Sequence, residues 1–423
     1  MLDDVNLIMY GTAVSAISFF GVLIMTPAAI RSLIAKRKVV PDAHKPEKTQ
    51  VPRPAGPVIM ISIAAAEIVL FFLTMNIAVF AILLTTAIAF LVGYIDDSRV
   101  MPGWFKPVAL LAAAIPLVVL DILVGGVYGE SLNLIFGRAH IPLLYIPLIF
   151  FIIPITGNTI NSIDVLNGVA SSFLIIAMIP LLVSIAIFGS PEVFLAALPL
   201  LFATLAFYKY HKFPSRIFPG DSGTLLLGAM YGAVTIAGSS EIIGVIALLP
   251  AVMNSFLFLA SVKRIVEHRE VKARPTILTD DFKLAASSDS TAPATLVRLI
   301  VADRPLGERE ITYQIFKLAT FTALWHLPRL LSSTWLSSGR VIEMVLTILA
   351  LFVIGMWAMI LAAAAFLVIF VAPLETYLYL FGPHGGRLAI SAAQAAIAIL
   401  IVIVVVLALN KLKEIYLHKE LGQ

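Results

Sequence analysis

The chain reads Asp96-Asp97-Ser98-Arg99-Val100-Met101-Pro102-Gly103-Trp104-Phe105-Lys106 between two apolar stretches, residues 77–95 and 107–120. A carboxylate at the end of a membrane helix loses hydration, so two adjacent aspartates are costly to place there. A metal ion, a phosphate or a proton would compensate them, and Lys106 returns a positive charge to the same short segment. The stretch therefore predicts two membrane helices that meet at a charged site.

The composition is typical of a protein that crosses a membrane many times. Of its 423 residues, 60% are hydrophobic and 13% are charged, and the mean hydropathy is +1.02, whereas soluble chains carry about 25% charged residues. The first apolar run lacks a basic leader and a small-residue cleavage site, so we expect a retained helix rather than a signal peptide. The chain has no cysteine, which excludes disulfides and a thiolate nucleophile. We predict an all-α polytopic integral membrane protein.

Apolar runs of about 20 residues recur along the chain and predict twelve membrane helices. They are residues 5–30, 57–75, 77–95, 107–125, 142–157, 168–188, 192–208, 222–238, 241–262, 313–334, 341–372 and 388–410. The polar stretch 263–312 is too short and too poor in apolar residues to build its own core. We therefore divide the chain into a membrane core (1–262), a polar loop (263–312) and C-terminal membrane helices (313–423).

Basic residues are concentrated in alternate connections, which hold 21 of the 29 Lys and Arg residues: 31–56, 96–106, 158–167, 209–221 and 263–312. The opposite connections up to residue 262 contain only Arg138. The positive-inside rule places the basic connections in the cytoplasm and the N-terminus on the outer side. A pI near 9.1 suits an anionic leaflet or phosphate-bearing substrates, so no nucleic-acid partner is expected.

The polar motifs of the chain fall in these same connections. They are Asp42, His44, Lys45 and Arg53 in the first, Asn158-Thr159-Ile160-Asn161-Ser162-Ile163-Asp164-Val165-Leu166-Asn167-Gly168 in the third, Phe213 to Gly223 in the fourth, and His268, Arg269 and Arg274 in the fifth. Aspartate and asparagine oxygens suit Mg²⁺ or Mn²⁺, and Lys and Arg suit phosphate. Without cysteines or paired histidines, zinc is not expected. The pattern predicts a metal-dependent phosphoryl-transfer site on the cytoplasmic face.

Each motif also has a plain structural explanation. A solvated helix end would account for Asp96-Asp97, although acids at a helix C-terminus oppose its dipole. Turn formation would account for the three asparagines, and an N-cap would account for Gly220-Asp221-Ser222-Gly223. His268 and Arg269 would be surface residues. Only the clustering of these motifs on one membrane side favours a functional site.

Two other classes of protein stay open. A secondary transporter would bury polar residues near the middle of the bilayer, where Glu67 is the clearest charged residue. A membrane scaffold or assembly subunit would account for the C-terminal helices. Neither alternative requires functional polar residues in the connections, whereas the enzyme hypothesis does.

With these motifs the chain resembles the polyprenyl-phosphate N-acetylhexosamine-1-phosphate transferases. This superfamily includes the eukaryotic dolichyl-phosphate GlcNAc-1-phosphate transferase, archaeal relatives and the bacterial phospho-MurNAc-pentapeptide translocase. The resemblance rests on Asp96-Asp97 with Lys106, on the Asn-x-x-Asn-x-x-Asp-x-x-Asn-Gly run from Asn158, and on Pro214 to Asp221. It implies about ten family-like helices, which leaves 341–372 and 388–410 as additions that pack against lipid or a second copy in a homodimer.

The resemblance implies a Mg²⁺-dependent reaction between a UDP-N-acetylhexosamine and a polyprenyl or dolichyl phosphate, with GlcNAc-1-phosphate the expected group transferred. It also implies a role for each matching residue. Asn161 and Asp221 would hold the metal, and Asp96, Asp97 and Lys106 would lie at the reacting phosphates. The remaining matches would bind the nucleotide (Phe218, Asn167, Gly168), the sugar and diphosphate (His268, Arg269, Arg274), and the lipid phosphate or first-loop side (Asp42, Lys45, Asn158, Asp164).

Three features depart from the family pattern. The His-His-His-like signature of the bacterial translocase is missing, which argues against MurNAc-pentapeptide as substrate. The fifth connection follows the eukaryotic His-x-x-Pro-Arg pattern only loosely, which weakens the assignment of Arg274. Arg53 stands where an acidic residue is often found.

Overall fold

The computed structural model describes residues 4–43, 45, 49–99, 101–124, 131–134, 137–140, 142–262 and 271–324. The chain divides into two units, Met1–Ser332 and Ser333–Gln423. The helices predicted over 341–372 and 388–410, the end of the helix predicted over 313–334, and the site residues His268 and Arg269 lie outside the described residues.

The described residues form twelve α-helices and three two-stranded antiparallel hairpins. The helices are α1 (Asp4–Ala35), α2 (Gly56–Thr74), α3 (Ile77–Ser98), α4 (Phe105–Val124), α5 (Pro142–Ile163), α6 (Val169–Phe188), α7 (Pro191–His211), α8 (Gly220–Ala237), α9 (Glu241–Ala247), α10 (Leu249–Val262), α11 (Leu296–Ile300) and α12 (Glu308–Leu324). The strands are β1 (Val39–Pro41) with β2 (Gln50–Pro52), β3 (Ser131–Leu134) with β4 (Gly137–His140), and β5 (Thr276–Leu278) with β6 (Leu284–Ala286).

Helices α1 to α7 are each long and apolar enough to cross a membrane, and the bent pair α9–α10 adds an eighth span if it is counted as one. This confirms the predicted all-α polytopic membrane fold. Helix α8, predicted as a span over 222–238, is not among the seven. It opens with the polar run Gly220-Asp221-Ser222-Gly223, and all of its residues are buried inside the protein.

Helix α8 is the centre of the fold and packs most extensively against α3 and α5. Small residues allow this close approach. A Cβ at Gly93 of α3 would lie 2.6 Å from the Ser222 Cα and would overlap the Asp221 carbonyl group. A Cβ at Gly228 of α8 would lie 2.8 Å from the Gly157 Cα of α5. The packing therefore brings the C-terminal ends of α3 and α5 to the first turn of α8.

Several helices are longer than predicted, and their extra residues include parts of the polar motifs. Helix α3 continues to Ser98, where Arg99 N donates to Ile95 O at 2.8 Å, so Asp96 and Asp97 are helical residues. Helix α5 continues to Ile163 and includes Asn158 and Asn161, and α4 begins before Lys106. From the sequence, these residues were predicted to lie in connections, because polar side chains at a helix end resemble loop residues when their buried partners are unknown.

The helix predicted over 241–262 was also wrong in one respect, because α9 and α10 meet at an angle of 69°. Pro250, the second residue of α10, has no N–H to donate to the preceding turn, so the helix cannot continue straight through it. None of the three β-hairpins was predicted. Each is short, and β1–β2 sits within the basic first connection.

The connections predicted to share one membrane side meet at one end of the helices. Ala55 N donates to Phe218 O at 3.0 Å and Phe218 N donates to Pro52 O at 3.0 Å, which joins the first connection to the fourth. At the opposite end, Tyr145 and Glu241 form a buried hydrogen bond, and Ser184 donates to Ser240 at 2.7 Å. The charged motifs are thus gathered at a single end.

We predict that Gly93→Ala destabilises the protein, because the new Cβ would overlap the Asp221 carbonyl group. Overpacking costs about 1–3 kcal/mol, so the thermal unfolding midpoint of purified protein in detergent should fall. Gly11→Ala in α1 is the matched control, since its Cβ meets only the Leu195 and Leu198 side-chain tips, at 3.2 and 3.3 Å. Equal midpoints for the two variants would contradict the close contact of α3 with α8.

Candidate functional site

The carboxylate of Asp97 caps helix α8 from the last turn of α3. Its Oδ1 accepts from Asp221 N at 3.0 Å, and its Oδ2 accepts from Ser222 N at 2.8 Å and from Ser222 Oγ at 2.6 Å. A helix N-terminus has unsatisfied N–H groups and favours negative charge. The residue at the N-cap position, Pro219, makes no side-chain cap bond, so Asp97 fills that role from another helix.

The lack of a side chain at Gly220 lets the Asp97 carboxylate reach the start of α8. Its φ is +72°, a left-handed conformation that favours glycine, and a Cβ there would lie 2.7 Å from Asp97 Oδ2. The approach of Asp97 to the chain therefore requires glycine at position 220.

Asp221 is the centre of the candidate site. Its Oδ1 accepts from Asn161 Nδ2 at 2.6 Å and lies 3.5 Å from Lys106 Nζ, and its Oδ2 accepts from Arg53 Nη2 at 2.7 Å. Asn161 is oriented by a second hydrogen bond, from Nδ2 to Thr224 Oγ1 at 2.7 Å. The two residues predicted to hold a metal are thus direct neighbours.

Asp96 completes this group. Lys106 Nζ lies 3.1 Å from Asp96 Oδ2, and Met101 N donates to Asp96 Oδ1 at 3.3 Å. Lys106 therefore bridges Asp96 and Asp221 from the first turn of α4. The structure brings together the five residues predicted as catalytic or metal-binding: Asp96, Asp97, Lys106, Asn161 and Asp221.

Asp164 adds a fourth carboxylate beside the group. Its Oδ1 lies 3.4 Å from His211 Nε2, and His211 Nδ1 is 2.9 Å from Ser171 Oγ. Burial raises the pKa of Asp164 to about 7; the charge of Arg53 lowers it and that of Asp221 raises it. The His211 ring is buried and stacks on Phe207 with ring centroids 5.2 Å apart. His211 was not predicted as a site residue.

Arg53 is another site residue that was not predicted, although it stands among the polar motifs of the first connection. Its Nη2 donates to Asp97 Oδ1 at 2.9 Å and to Asp221 Oδ2 at 2.7 Å, so one nitrogen joins two carboxylates. Burial lowers the pKa of Arg53, but Asp221 and Asp97 raise it by more, and the net shift is upward. The departure from the family pattern at this position was the available signal.

We name Asp96, Asp97, Asp164 and Asp221 the aspartate cluster. Two cations, Arg53 and Lys106, form ion pairs with three of its carboxylates, those of Asp96, Asp97 and Asp221. The ionised cluster would therefore carry two uncompensated negative charges. Among the described residues, the buried atoms Asp96 Oδ2 and Asp164 Oδ1 make no hydrogen bond, and Lys106 approaches Asp96 Oδ2 only as an ion pair. This surplus is what a divalent cation would compensate.

The donor set fits Mg²⁺ better than a transition metal. No group of three His, Cys, Asp or Glu residues is arranged to hold a metal within the part of the chain that the structure describes. Mg²⁺ is commonly held by one or two carboxylates and completes its shell with water and substrate phosphates. Asp221 with Asn161 offers such a partial set.

A second polar group lies next to the aspartate cluster. Asn167 Nδ2 donates to Asp42 Oδ2 at 3.0 Å, and Asn167 N donates to Glu308 Oε1 at 2.8 Å. Lys45 forms an ion pair with Glu308 and lies 3.6 Å from Asp42, and its Nζ is 3.7 Å from the Phe213 ring centroid. Glu308, which the sequence analysis did not single out, ties the start of α12 to the first and third connections.

Other predicted site residues are placed less directly. The Phe218 ring lies edge-on to His211, with centroids 6.5 Å apart. Gly168 has a φ of +79° and is the N-cap residue directly before α6. Asn158 donates to Pro154 O of its own helix at 2.8 Å. Arg274 is exposed, and within the described residues no hydrogen bond or ion pair joins it to the aspartate cluster.

Comparison with known proteins points to one superfamily. The family model "Glycosyl transferase family 4" matches residues 79–239, which run from the first turn of α3 to just beyond the end of α8. The chain is 28% identical over 240 residues to a phospho-N-acetylmuramoyl-pentapeptide-transferase of Staphylococcus haemolyticus, covering 53% of this chain and 74% of the relative. It is 29% identical over 249 residues to a Saccharolobus solfataricus protein, covering 57% of this chain and 75% of the relative.

The archaeal relative is provisionally named UDP-N-acetylglucosamine–dolichyl-phosphate N-acetylglucosaminephosphotransferase. A phospho-N-acetylmuramoyl-pentapeptide-transferase of Streptococcus suis is 28% identical over 241 residues, covering 53% of this chain and 72% of the relative. These similarities confirm the resemblance to the polyprenyl-phosphate hexosamine-1-phosphate transferases. Together with the seven apolar helices, they identify an integral multi-pass membrane protein.

We predict that Asp164→Asn stabilises the protein more at about pH 8 than at about pH 5. The pKa of Asp164 is raised in the folded state, so its ionisation there costs stability as the pH rises from its unfolded pKa towards about 7. The amide removes that cost, and thermal unfolding midpoints of variant and wild type measure it. Asp280→Asn, at an exposed carboxylate, is the control. A smaller gain at about pH 8 than at about pH 5 would contradict the burial of this carboxylate.

Proposed function

We propose that the chain transfers an N-acetylhexosamine-1-phosphate, specifically GlcNAc-1-phosphate, from a UDP-sugar to a polyprenyl or dolichyl phosphate. The products are a lipid-diphosphate-sugar and UMP. An oxygen of the lipid phosphate forms a bond to the β-phosphorus of the donor, and the bond from that phosphorus to the bridging oxygen breaks. The observation that carries the proposal is the meeting of Asp221, Asn161 and Lys106 at the start of α8.

The chain's own residues have separable roles in this reaction. Lys106, which lies between Asp96 and Asp221, offers an ammonium to the phosphate oxygens on which negative charge develops. Asp97 holds the start of α8 and so fixes the position of Asp221. Asp221 and Asn161 would hold Mg²⁺, which would neutralise charge on the diphosphate when bound. Asp96 and Asp164 are the carboxylates left to face the acceptor phosphate.

The location of the cluster suits a lipid acceptor. A polyprenyl chain stays in the hydrocarbon while its phosphate stays in the headgroup layer, so the reacting groups must lie where helices end. Asp96, Asn161 and Asp221 lie on the terminal turns of α3, α5 and α8. This placement favours an enzyme over a transporter, whose polar residues would lie near the middle of the bilayer.

The choice of sugar rests on a weaker difference. A relative named as a phospho-N-acetylmuramoyl-pentapeptide-transferase and a relative named as an N-acetylglucosaminephosphotransferase match the chain at similar identity. The missing His-His-His-like signature favours GlcNAc-1-phosphate over the MurNAc-pentapeptide group. We propose Mg²⁺ as the cofactor, with Mn²⁺ as the alternative, and we propose a cytoplasmic site because the basic connections lie at the same end as the cluster.

We predict that purified protein releases UMP from UDP-N-acetylglucosamine only when a polyprenyl or dolichyl phosphate and Mg²⁺ are both present. Asp221→Asn should lower the rate by about a hundredfold or more, because it removes a charged group from the reacting centre. Asp280→Asn, at an exposed carboxylate, is the matched control. Absence of UMP release with a panel of UDP-sugars and both lipids, from folded wild-type protein, would overturn the proposed function.

The orientation is tested separately. The chain has no cysteine, so single-cysteine variants report one position each. Ser98 is exposed at the cluster end and Ser190 is exposed at the opposite end. In intact cells, we expect an impermeant thiol reagent to label Ser190→Cys and to leave Ser98→Cys unlabelled until the membrane is opened. The reverse pattern would place the site outside.

A further inference from the structure

Arg53 holds an unusual position for a residue that follows a short strand. Its backbone is fixed on both sides: Arg53 N donates to Lys38 O at 3.2 Å, and Ala55 N donates to Phe218 O at 3.0 Å. Its side chain reaches from this frame into the gap between Asp97 and Asp221. A fixed backbone with a long side chain allows the guanidinium to move while the connection stays in place.

Only one of the three guanidinium nitrogens of Arg53 donates hydrogen bonds to the site. Both of its hydrogen bonds use Nη2, while Nε and Nη1 make no hydrogen bond within the described residues. The Arg53 side chain is 33% exposed, whereas those of Asp97 and Asp221 are 3% and 10% exposed. Arg53 therefore covers the carboxylates from the open side of the site.

Each carboxylate oxygen of Asp221 already has at least one polar partner. Oδ1 accepts from Asn161 and faces Lys106, and Oδ2 accepts from Arg53. A divalent cation on Oδ2 would lie beside the Arg53 guanidinium, which repels it, so Arg53 competes with a metal ion for Asp221. Of the two charged partners of Asp221, Arg53 is the more exposed, at 33% against 10% for Lys106, and it contacts Oδ2 alone, so its departure disturbs the site least.

We propose that Arg53 is an exchangeable counter-ion of the site. Its guanidinium compensates Asp97 and Asp221 until a divalent cation binds, and it then leaves Asp221 and contacts a phosphate oxygen of the substrate. Guanidinium groups pair well with phosphate oxygens, and Nε and Nη1, which make no hydrogen bond within the described residues, are available to donate to one. This inference rests on the proposed function and adds a substrate-binding residue to it.

The first experiment measures metal binding without substrate. Mn²⁺ affinity is determined by electron paramagnetic resonance on purified full-length protein for the wild type, Arg53→Gln, Arg53→Lys and Asp221→Asn. Loss of a charge-assisted competitor is worth about tenfold in affinity, so we expect Arg53→Gln to bind Mn²⁺ about tenfold more tightly. Arg53→Lys should lie between the two, and Asp221→Asn should bind more weakly than the wild type.

Arg99→Gln is the matched control for a general loss of positive charge. Arg99 directly follows α3 and is exposed, so its removal should leave Mn²⁺ affinity unchanged. Unchanged or weaker Mn²⁺ binding by folded Arg53→Gln overturns the exchange. An equal gain for Arg99→Gln overturns it as well, because the effect would then be long-range charge rather than competition for Asp221.

The second experiment measures the phosphate contact, with inorganic pyrophosphate as the probe in saturating Mg²⁺. We expect calorimetry to show about tenfold weaker binding for Arg53→Gln, partial recovery for Arg53→Lys and no change for Arg99→Gln. Pyrophosphate binding that is equal in Arg53→Gln and wild type overturns the substrate contact. Neither experiment requires turnover, so failure of UMP release would overturn the proposed function and leave the exchange to be decided by Mn²⁺ and pyrophosphate binding.

Discussion

The site depends on placing four carboxylates next to one another where helices meet inside the protein. Such groups lose hydration on burial and repel each other, and they are tolerated only with cations or hydrogen-bond donors beside them. Arg53 and Lys106 supply two charges, and the first turn of α8 supplies backbone N–H groups. The four carboxylates still exceed the two cations, and this surplus of negative charge would attract a further cation.

This arrangement requires helices that pack unusually closely. Gly93 lets α3 lie against the start of α8, and Gly228 lets α8 lie against α5. Asp97, Asn161 and Asp221 then converge although they come from three different helices. The chemistry of the site and the packing of the core are therefore one problem, since a larger residue at Gly93 would displace Asp97 and Asp221 together.

The site could be predicted from the sequence because the polar motifs fall in the same alternate connections that hold most of the Lys and Arg residues. That pattern predicted the meeting of Asp96, Asp97, Lys106, Asn161 and Asp221, and it required no knowledge of helix ends. It could not reveal partners that are defined only in three dimensions.

Arg53 was interpreted as a departure from the family pattern. Glu308 and His211 lay in the predicted connections 263–312 and 209–221 and were not singled out, because their partners come from distant parts of the chain. The short hairpins and the bend at Pro250 were missed because neither leaves a long periodic pattern. Helix ends were placed too early because a polar residue that faces a buried partner resembles one that faces water.

The cap that Asp97 provides to α8 has a consequence for synthesis of the chain. Asp97 and the backbone N–H of Asp221 are 124 residues apart, and α4 to α7 must be made between them. During that interval the α3 carboxylates have none of their α8 donors, and charged side chains are held near the aqueous boundary by hydration. Helix α3 would therefore enter the bilayer with its end anchored at the surface. Arrival of the glycine-rich turn at residue 220 would release that anchor, which makes the site one of the last parts of the core to assemble.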